Sequence, residues 1–369
     1  MITRRQFAAS TPLLVASPLA LSGCSQEAAA DGYEAVAERT WRLGAVTDLG
    51  GAALGRELVR CATLAPSSHN TQCWKFALDA DGRSIAILPD LVRRCPAVDP
   101  DDHHLFVSLG CAAENLVEAA LAHGFKGEVQ FDAASNAVRV ALSPTRAQTT
   151  PLFTAIPVRQ CTRGDYDGKP LSVEELALLQ RAGSSATVRL LMLTERPAME
   201  QTLDYVMQGN TAQLTDAAFV NELKAWIRFN GADAVRTLDG LHSVCTGNPN
   251  IPSWIGDLAF RWILTVEGEN DKVARQVRSS AGIAVFAGLA ADKAHWVDVG
   301  RCYERFALQA TSLGIRNAFL NQPVEVAALR PVFAAALGLG GQRPDLVVRF
   351  GRGPVMPRSL RRPVEAVLV

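Results

Sequence analysis

Residues 66–76 read Pro-Ser-Ser-His-Asn-Thr-Gln-Cys-Trp-Lys-Phe. Hydrogen-bonding side chains crowd the run from Ser67 to Gln72, and Trp74 then opens an apolar stretch. In an extended segment Ser68, Asn70, Gln72 and Trp74 share one face, because strand side chains alternate with period two. Hydroxyl, amide, amide and indole in a row suit the hydrogen-bonding edge of a flat polar ring. The alternative is an Asx-type turn ahead of a strand, since Ser and Asn are frequent turn residues.

The chain that carries this stretch has 369 residues, room for two domains or one large two-lobed domain. It is 48% apolar and 20% charged, ordinary for a globular protein. Its 37 basic and 37 acidic residues balance, which argues against a nucleic-acid partner. At the N-terminus, Thr3-Arg4-Arg5-Gln6-Phe7 resembles a twin-arginine export signal. The apolar stretch from Ala8 to Leu21 is broken by Pro12 and Pro18, too short for a spanning helix. Leu21-Ser22-Gly23-Cys24 resembles a bacterial lipobox with Cys24 as the acylated residue. The expectation is a periplasmic or membrane-anchored lipoprotein, exported after folding with any cofactor inside. A plainly cleaved signal, or a chance Arg pair in a cytoplasmic protein, is the alternative. Beyond Cys24 seven cysteines remain, an odd number without a Cys-x-x-Cys pair, so no disulfide framework is expected. Cys61, Cys111 and Cys302 fall in apolar helical patterns and read as core.

Working outward, residues 25–50 read as a tether and packing arm with a helix from Tyr33 to Arg42, and residues 51–150 as a first lobe. That lobe holds a helix to Leu64, strands at Trp74–Leu78 and Ile85–Leu88, a helix over 102–123, and strands at Gly127–Phe131 and Ala137–Leu142. A second lobe spans 151–369. Ser172-Val173-Glu174-Glu175 has capping-box spacing. Strands are expected at Thr187–Leu193, Gly282–Gly288 and Leu346–Phe350, with a helix over 294–313. Adding 190 to Val107, Gly110, Glu114, Ala120 and Gly124 gives Val297, Gly300, Glu304, Ala310 and Gly314, identical at every position. Two lobes related by duplication are the better reading. Residues 195–280 form a long helical segment in which Trp226, Trp254, Phe229 and Phe260 could make a lid. His103, His104 and His123 read as helix-surface residues, without ligand-spaced partners for a metal.

Ala65, Pro66, Ser67, Ser68, Asn70, Gln72 and Trp74 resemble the A-P-S-S-x-N-x-Q-P-W segment of the FMN-dependent nitroreductase family, with Cys73 in place of its Pro. The chain looks most like the fused, two-lobed Acg-like branch. The resemblance implies an α+β fold of two nitroreductase-like lobes, each a mixed β-sheet flanked by helices, with helices 102–123 and 294–313 at their interface. It implies one FMN per chain and a monomer with an internal pseudo-dimer. Ser67, Ser68, His69, Asn70 and Gln72 are its candidates for the flavin ring. Arg159, Cys161 and Arg163 are similar to the family's R-x-S-x-[RK] phosphate segment, Cys161 replacing Ser. Arg361 and Arg362 in the basic terminal stretch are phosphate candidates, and Asn321 a candidate for the loop facing flavin N5. The implied partners are a small-molecule electron donor and a nitro, quinone or similar acceptor, with no acid or base required of a side chain. A flavin-holding protein with a covered flavin is the alternative, and dehalogenation or flavin-fragmentation chemistry a third.

Overall fold

The computed structural model describes residues 24–44, 49–79 and 81–369. The twin-arginine stretch and Leu21–Gly23 lie outside the described residues. The chain enters through α1 (Cys24–Thr40) and α2 (Gly51–Thr63), then the hairpin β1 (Trp74–Leu78) and β2 (Ser84–Pro89). Helix α3 (His103–Ala122), β3 (Phe125–Asp132) and β4 (Ala137–Pro144) complete the first lobe. Helices α4 (Pro151–Ala155) and α5 (Val173–Ala182) lead into β5 (Val188–Leu193), and Ser172 and Glu175 form the expected capping box. A long insert follows: α6 (Arg196–Thr215), α7 (Ala217–Trp226), β6 (Ile227–Arg228), α8 (Gly231–Thr237), β7 (Leu241–His242), α9 (Ser253–Ile263) and α10 (Val266–Arg278). The second lobe closes with β8 (Gly282–Gly288), α11 (Lys293–Ser312), β9 (Arg316–Phe319), α12 (Gln322–Glu325), α13 (Arg330–Ala336) and β10 (Leu346–Gly351).

The two sheets have one topology. The first runs β1-β2-β4-β3 and the second β5-β8-β10-β9, so each places its strands first, second, fourth, third with a long helix between second and third. Pairing within both is antiparallel. Parallel bridges Phe76–Leu368 and Cys161–Asn317 extend one edge of each, which makes the sheets mixed.

The lobes meet along α3 and α11, which span His103–Ala122 and Lys293–Ser312, 190 positions apart at both ends. The repeat explains the glycines. A Cβ on Gly110 would lie 2.0 Å from the Val297 carbonyl oxygen, and one on Gly300 would lie 1.9 Å from that of Val107. Val297 is the repeat partner of Val107, so each helix touches the other with the same residues, as across a two-fold axis. Only a residue without Cβ permits this approach. Helix α3 is long and apolar enough to cross a membrane, but 83% of that window is buried at the interface, the mark of a core helix.

The sheets differ in their covering. In β3 burial alternates, which fits a sheet with one wet face. All seven residues of β8 are buried: Ala284 and Phe286 join the core with α11, while Ile283 and Val285 pack with Met199, Leu203 and Val277 of the insert. Helix α1 is more ordered than a tether, since Tyr33 and Ala37 pack against Ala234 of α8 and Leu360.

Candidate functional site: a two-chambered crevice between the lobes

The 66–72 stretch is a turn, not a strand. Residues Ser68–Asn70 make one turn of 3₁₀ helix, and His69, Asn70 and Gln72 have φ of 48°, 53° and 54°. Ser67 Oγ accepts from the Gln72 amide at 2.9 Å, and the Asn70 and Thr71 amides donate to the carbonyls of Ser67 and Ser68. Local side-chain bonds of this kind compete with a strand ladder, and Asn tolerates the left-handed region. The common face expected for Ser68, Asn70, Gln72 and Trp74 therefore does not exist. Asn70 is a bolt: its Nδ2 donates to Gly240 O and Leu360 O, and its Oδ1 accepts from Arg361. Gln72 is fully buried between Leu238 O and the Arg362 amide, outside both chambers described below.

Ser67 and Pro66 instead border two connected chambers, which also share Arg163, Leu241 and Phe319. The smaller, about 60 Å³, is a basic pocket lined by Trp41, Asn70, Cys161 and four arginines, Arg159, Arg163, Arg358 and Arg361. Thr162 N donates to Asn317 O at 2.9 Å, so residues 161–162 run beside β9 and hold the arginine strip extended. Arg159 is buried, donates to Leu64 O at 2.7 Å and lies 3.2 Å from Glu304. Burial holds the Glu304 carboxyl above its usual range even against Arg159. Arg361 is also buried, but its five acceptors are Thr63 O, Leu64 O, Ala65 O, Leu360 O and Asn70 Oδ1, all uncharged. Burial, reinforced by Arg159, pushes this guanidinium down to about 9. Among the described residues no carboxylate lies within ion-pairing distance of Arg163, Arg358 or Arg361, while Trp41 stacks 4.8 Å from Arg361. Buried positive charge without a counter-charge is costly. A phosphate dianion would supply the missing charge and accept from the planar forks.

The larger chamber has a volume of about 300 Å³, in the range of small-molecule sites. Its floor is Ser68, His69 and, from α3, His104, Val107, Ser108 and Cys111; Asn321, Gln322 and Glu325 form one wall. The insert roofs it with Asn210, Gln213, Leu214, Phe219, Leu223 and Ile227. Gln322 Oε1 is buried without a partner on this wall. Burial and Arg163 push the His69 imidazole down to about 4, so it is neutral at pH 7. The insert leaves the second lobe but is fastened to the first: Glu222 accepts from the Ala97 and Val98 amides at 2.8 and 3.1 Å, and Asp239 pairs with Arg93.

The donor set fits FMN: a basic pocket at one end, an amide- and hydroxyl-lined slot at the other, each built from both lobes. Of the expected site residues, Ser67, Ser68, His69, Asn70, Arg159, Cys161, Arg163, Asn321 and Arg361 border the chambers. Asn321 Oδ1 is occupied by the Val347 amide, 3.0 Å away. Arg361 and Arg362 separate, because Arg362 turns to the carbonyls of Gln72 and Trp74. The expected lid aromatics do not roof the cavity. Trp226 stacks on Arg93 and Arg228, Phe229 packs on Phe260, and Trp254 is 70% exposed. Phe219 and Leu223 of the 195–280 segment line the chamber in their place. His103 and His104 are not on a helix surface. Both are buried, because β10 and α12 pack over the start of α3. Sequence reading also passed over Arg358, which lies in the basic terminal stretch with Arg361 and Arg362, and Glu325, which stands outside any motif. Beyond Cys24 the seven cysteines are free, with Cys61, Cys111 and Cys302 in the core.

No family model matches the chain. Two curated Mycobacterium tuberculosis proteins, from strains CDC 1551 and H37Rv and both named "Putative NAD(P)H nitroreductase", are 24% identical to it over 325 residues, covering 85% of this chain and 90% of theirs. Among solved structures it is similar to a nitroreductase with bound FMN from Desulfitobacterium hafniense (14% identity, TM-score 0.37, 58% of this chain and 96% of that one). A nitroreductase in complex with FMN from Desulfovibrio desulfuricans gives 17% identity and TM-score 0.36, with 60% and 97% covered. The chain is thus similar to nitroreductases over 85% of its length, and the motif at 65–74 falls within the same resemblance.

Proposed function

We propose that the protein is an exported FMN-dependent oxidoreductase that passes electrons from a small-molecule donor to a nitro, quinone or similar acceptor. The observation that carries this is the pairing of a basic pocket, holding arginines without counter-charge, with a roofed polar slot in one crevice. FMN would place its phosphate against Arg163, Arg358 and Arg361 and its ring over Ser67, Ser68 and His69. Bound there, it supplies reversible hydride and electron transfer at its N5 edge. The chain's own residues do the rest. The arginines fix the phosphate end, the 66–70 turn shapes the ring edge, and the insert excludes water. Positive charge at the crevice favours the reduced, anionic form of a bound redox group. Arg4-Arg5 and the Cys24 lipobox support export and anchoring. Membrane fractionation of wild type against Cys24→Ala tests that part, the variant being released to the soluble fraction if Cys24 carries lipid.

One feature favours a second reading. The roof over the larger chamber suits a protein that holds flavin with little turnover. The visible spectrum of the mature protein, followed by anaerobic titration with NADH or NADPH, separates the two. Bleaching of bound flavin is the result expected of a reductase; flavin that stays oxidised marks a holder. A colourless protein that cannot be reconstituted with FMN overturns both.

A further inference from the structure

The chamber that would take the electron acceptor has a buried acid–base pair in its wall. Glu325 on α12 and His104 on α3 both line it, with Glu325 Oε1 3.6 Å from His104 Nδ1. The imidazole's tautomer follows from its other side. His104 Nε2 lies 3.2 Å from the backbone carbonyl of Asp345. A carbonyl can only accept, so Nε2 carries the hydrogen and Nδ1 presents its lone pair to Glu325. Gln213 of the insert donates to the other carboxyl oxygen, Glu325 Oε2, at 2.6 Å. Glu325 Oε1, the oxygen that Gln213 does not contact, is thus the one nearest the His104 ring.

From this geometry we propose that Glu325, backed by His104, is the proton donor to acceptors reduced in this cavity. The inference rests on the oxidoreductase reading above and adds a role that the reading does not contain. Reduction of a quinone to a hydroquinone takes up one hydride equivalent and one proton. The hydride carries both electrons and comes from the reduced cofactor. The proton leaves Glu325: its O–H bond breaks as an O–H bond forms on the acceptor oxygen. Glu325 is left as a carboxylate beside the His104 ring. Insert residues line this chamber and reduce the acceptor's contact with bulk water, which favours a proton donor in its wall.

The surroundings suit the role. Burial raises the Glu325 carboxyl above its ordinary range, against the pull of His104 and of Gln213. Asp99, ahead of α3, adds negative charge that raises it further, and Arg330 on α13 opposes this. Asp99 itself is committed to capping α3, accepting from the His104 and Leu105 amides at 3.1 and 3.0 Å. His103 is engaged elsewhere, with Nε2 2.9 Å from Asp345 Oδ1.

The test compares acceptors that need a proton with one that does not. Wild type and Glu325→Gln are loaded with FMN, reduced, and mixed with benzoquinone or with ferricyanide, which takes an electron alone. The ratio of quinone rate to ferricyanide rate should fall roughly 100-fold or more in E325Q, the usual range for loss of a general acid. An unchanged ratio overturns the proposal. A second readout uses the FMN-free protein. Its infrared spectrum should show a protonated-carboxyl C=O band that is lost in E325Q. In His104→Gln the band should persist to higher pH, since the neighbouring base is gone. Absence of the band from wild type near neutral pH overturns the proposal whatever becomes of the flavin reading, whereas failure to bind FMN with the band present counts against that reading alone.

Discussion

The two lobes share a strand order and diverge in one connection. In the first lobe only residues 79–83 separate β1 from β2; in the second the equivalent strands β5 and β8 are separated by residues 194–281. That one difference accounts for most of the asymmetry. The first sheet keeps a wet face carrying the Lys126–Glu128 and Arg139–Asp132 pairs. In the second the central strands β8 and β10 are buried on both faces, with α6 and α10 packed on the side away from α11. The same insert then reaches over the crevice and is bolted to the first lobe through Glu222, Asp239 and Gly240. A duplicated scaffold becomes a single site by elaborating one copy.

The sharpest way to break this comparison is at the helix crossing. Gly110→Ala and Gly300→Ala each drive a methyl into the opposite backbone, within 2.0 and 1.9 Å of a carbonyl oxygen. Each should cost about 3 kcal/mol, the upper part of the overpacking range, and leucine at either site should prevent folding. Urea midpoints of the two alanine variants should agree; a mild G110A beside a severe G300A would break the two-fold equivalence.

Next in size, Arg163→Ala should weaken FMN binding by about 10- to 100-fold, the worth of a charge-assisted hydrogen bond. Arg362→Ala, outside both chambers, should leave affinity within about twofold on the same scale. Flavin fluorescence quenching reads both, and equal losses would undo the assignment of the basic pocket.

The buried His103–Asp345 pair offers a titration. Burial raises Asp345 from 3.8 to about 6, so its share of stability is present at low pH and lost as pH rises through that window. Burial lowers His103 well below 6.5, so its share is lost as pH falls below 6.5. The slopes oppose and largely cancel in wild type. Asp345→Asn leaves the histidine slope alone, and stability should fall on acidification below pH 6.5 by up to about 1.4 kcal/mol per pH unit. Denaturant midpoints taken from pH 4 to 7 check it.

The smallest effect contrasts the two sheets. Ile283→Val, on the face under the insert, should cost about 1 kcal/mol. Glu128→Ala, on the wet face of the first sheet, should leave the melting midpoint where it is, and an equal loss in both would show that the faces do not differ in kind.

Seven of the eight strands of the two large sheets, the two long helices and their 190-residue offset were legible, because period-two alternation, helical spacing and two matched glycines are local signals; the short edge strand β9 was missed. The crevice was legible in part. Ser67, Ser68, Arg163 and Arg361 border it. The conformation of 66–72 was misjudged because residue types there fit both strand and turn. The turn won through Ser67 Oγ and through anchors on Gly240 and Leu360, which are remote in the chain. The burial of His103 and His104 was hidden for the same reason: their partners Asp345 and Glu325 lie in the other lobe.

The sequence by itself determined the duplicated architecture, the resemblance to nitroreductases and the two short stretches that meet in the crevice. Those follow from patterns that a few neighbouring residues carry. Only the tertiary structure decided which arginine faces the basic pocket, which insert residues roof the larger chamber, and that Glu325 and His104 stand together in its wall. Charge without a counter-charge, burial and proton sharing arise between segments hundreds of positions apart, and they exist only once the two lobes have closed on each other.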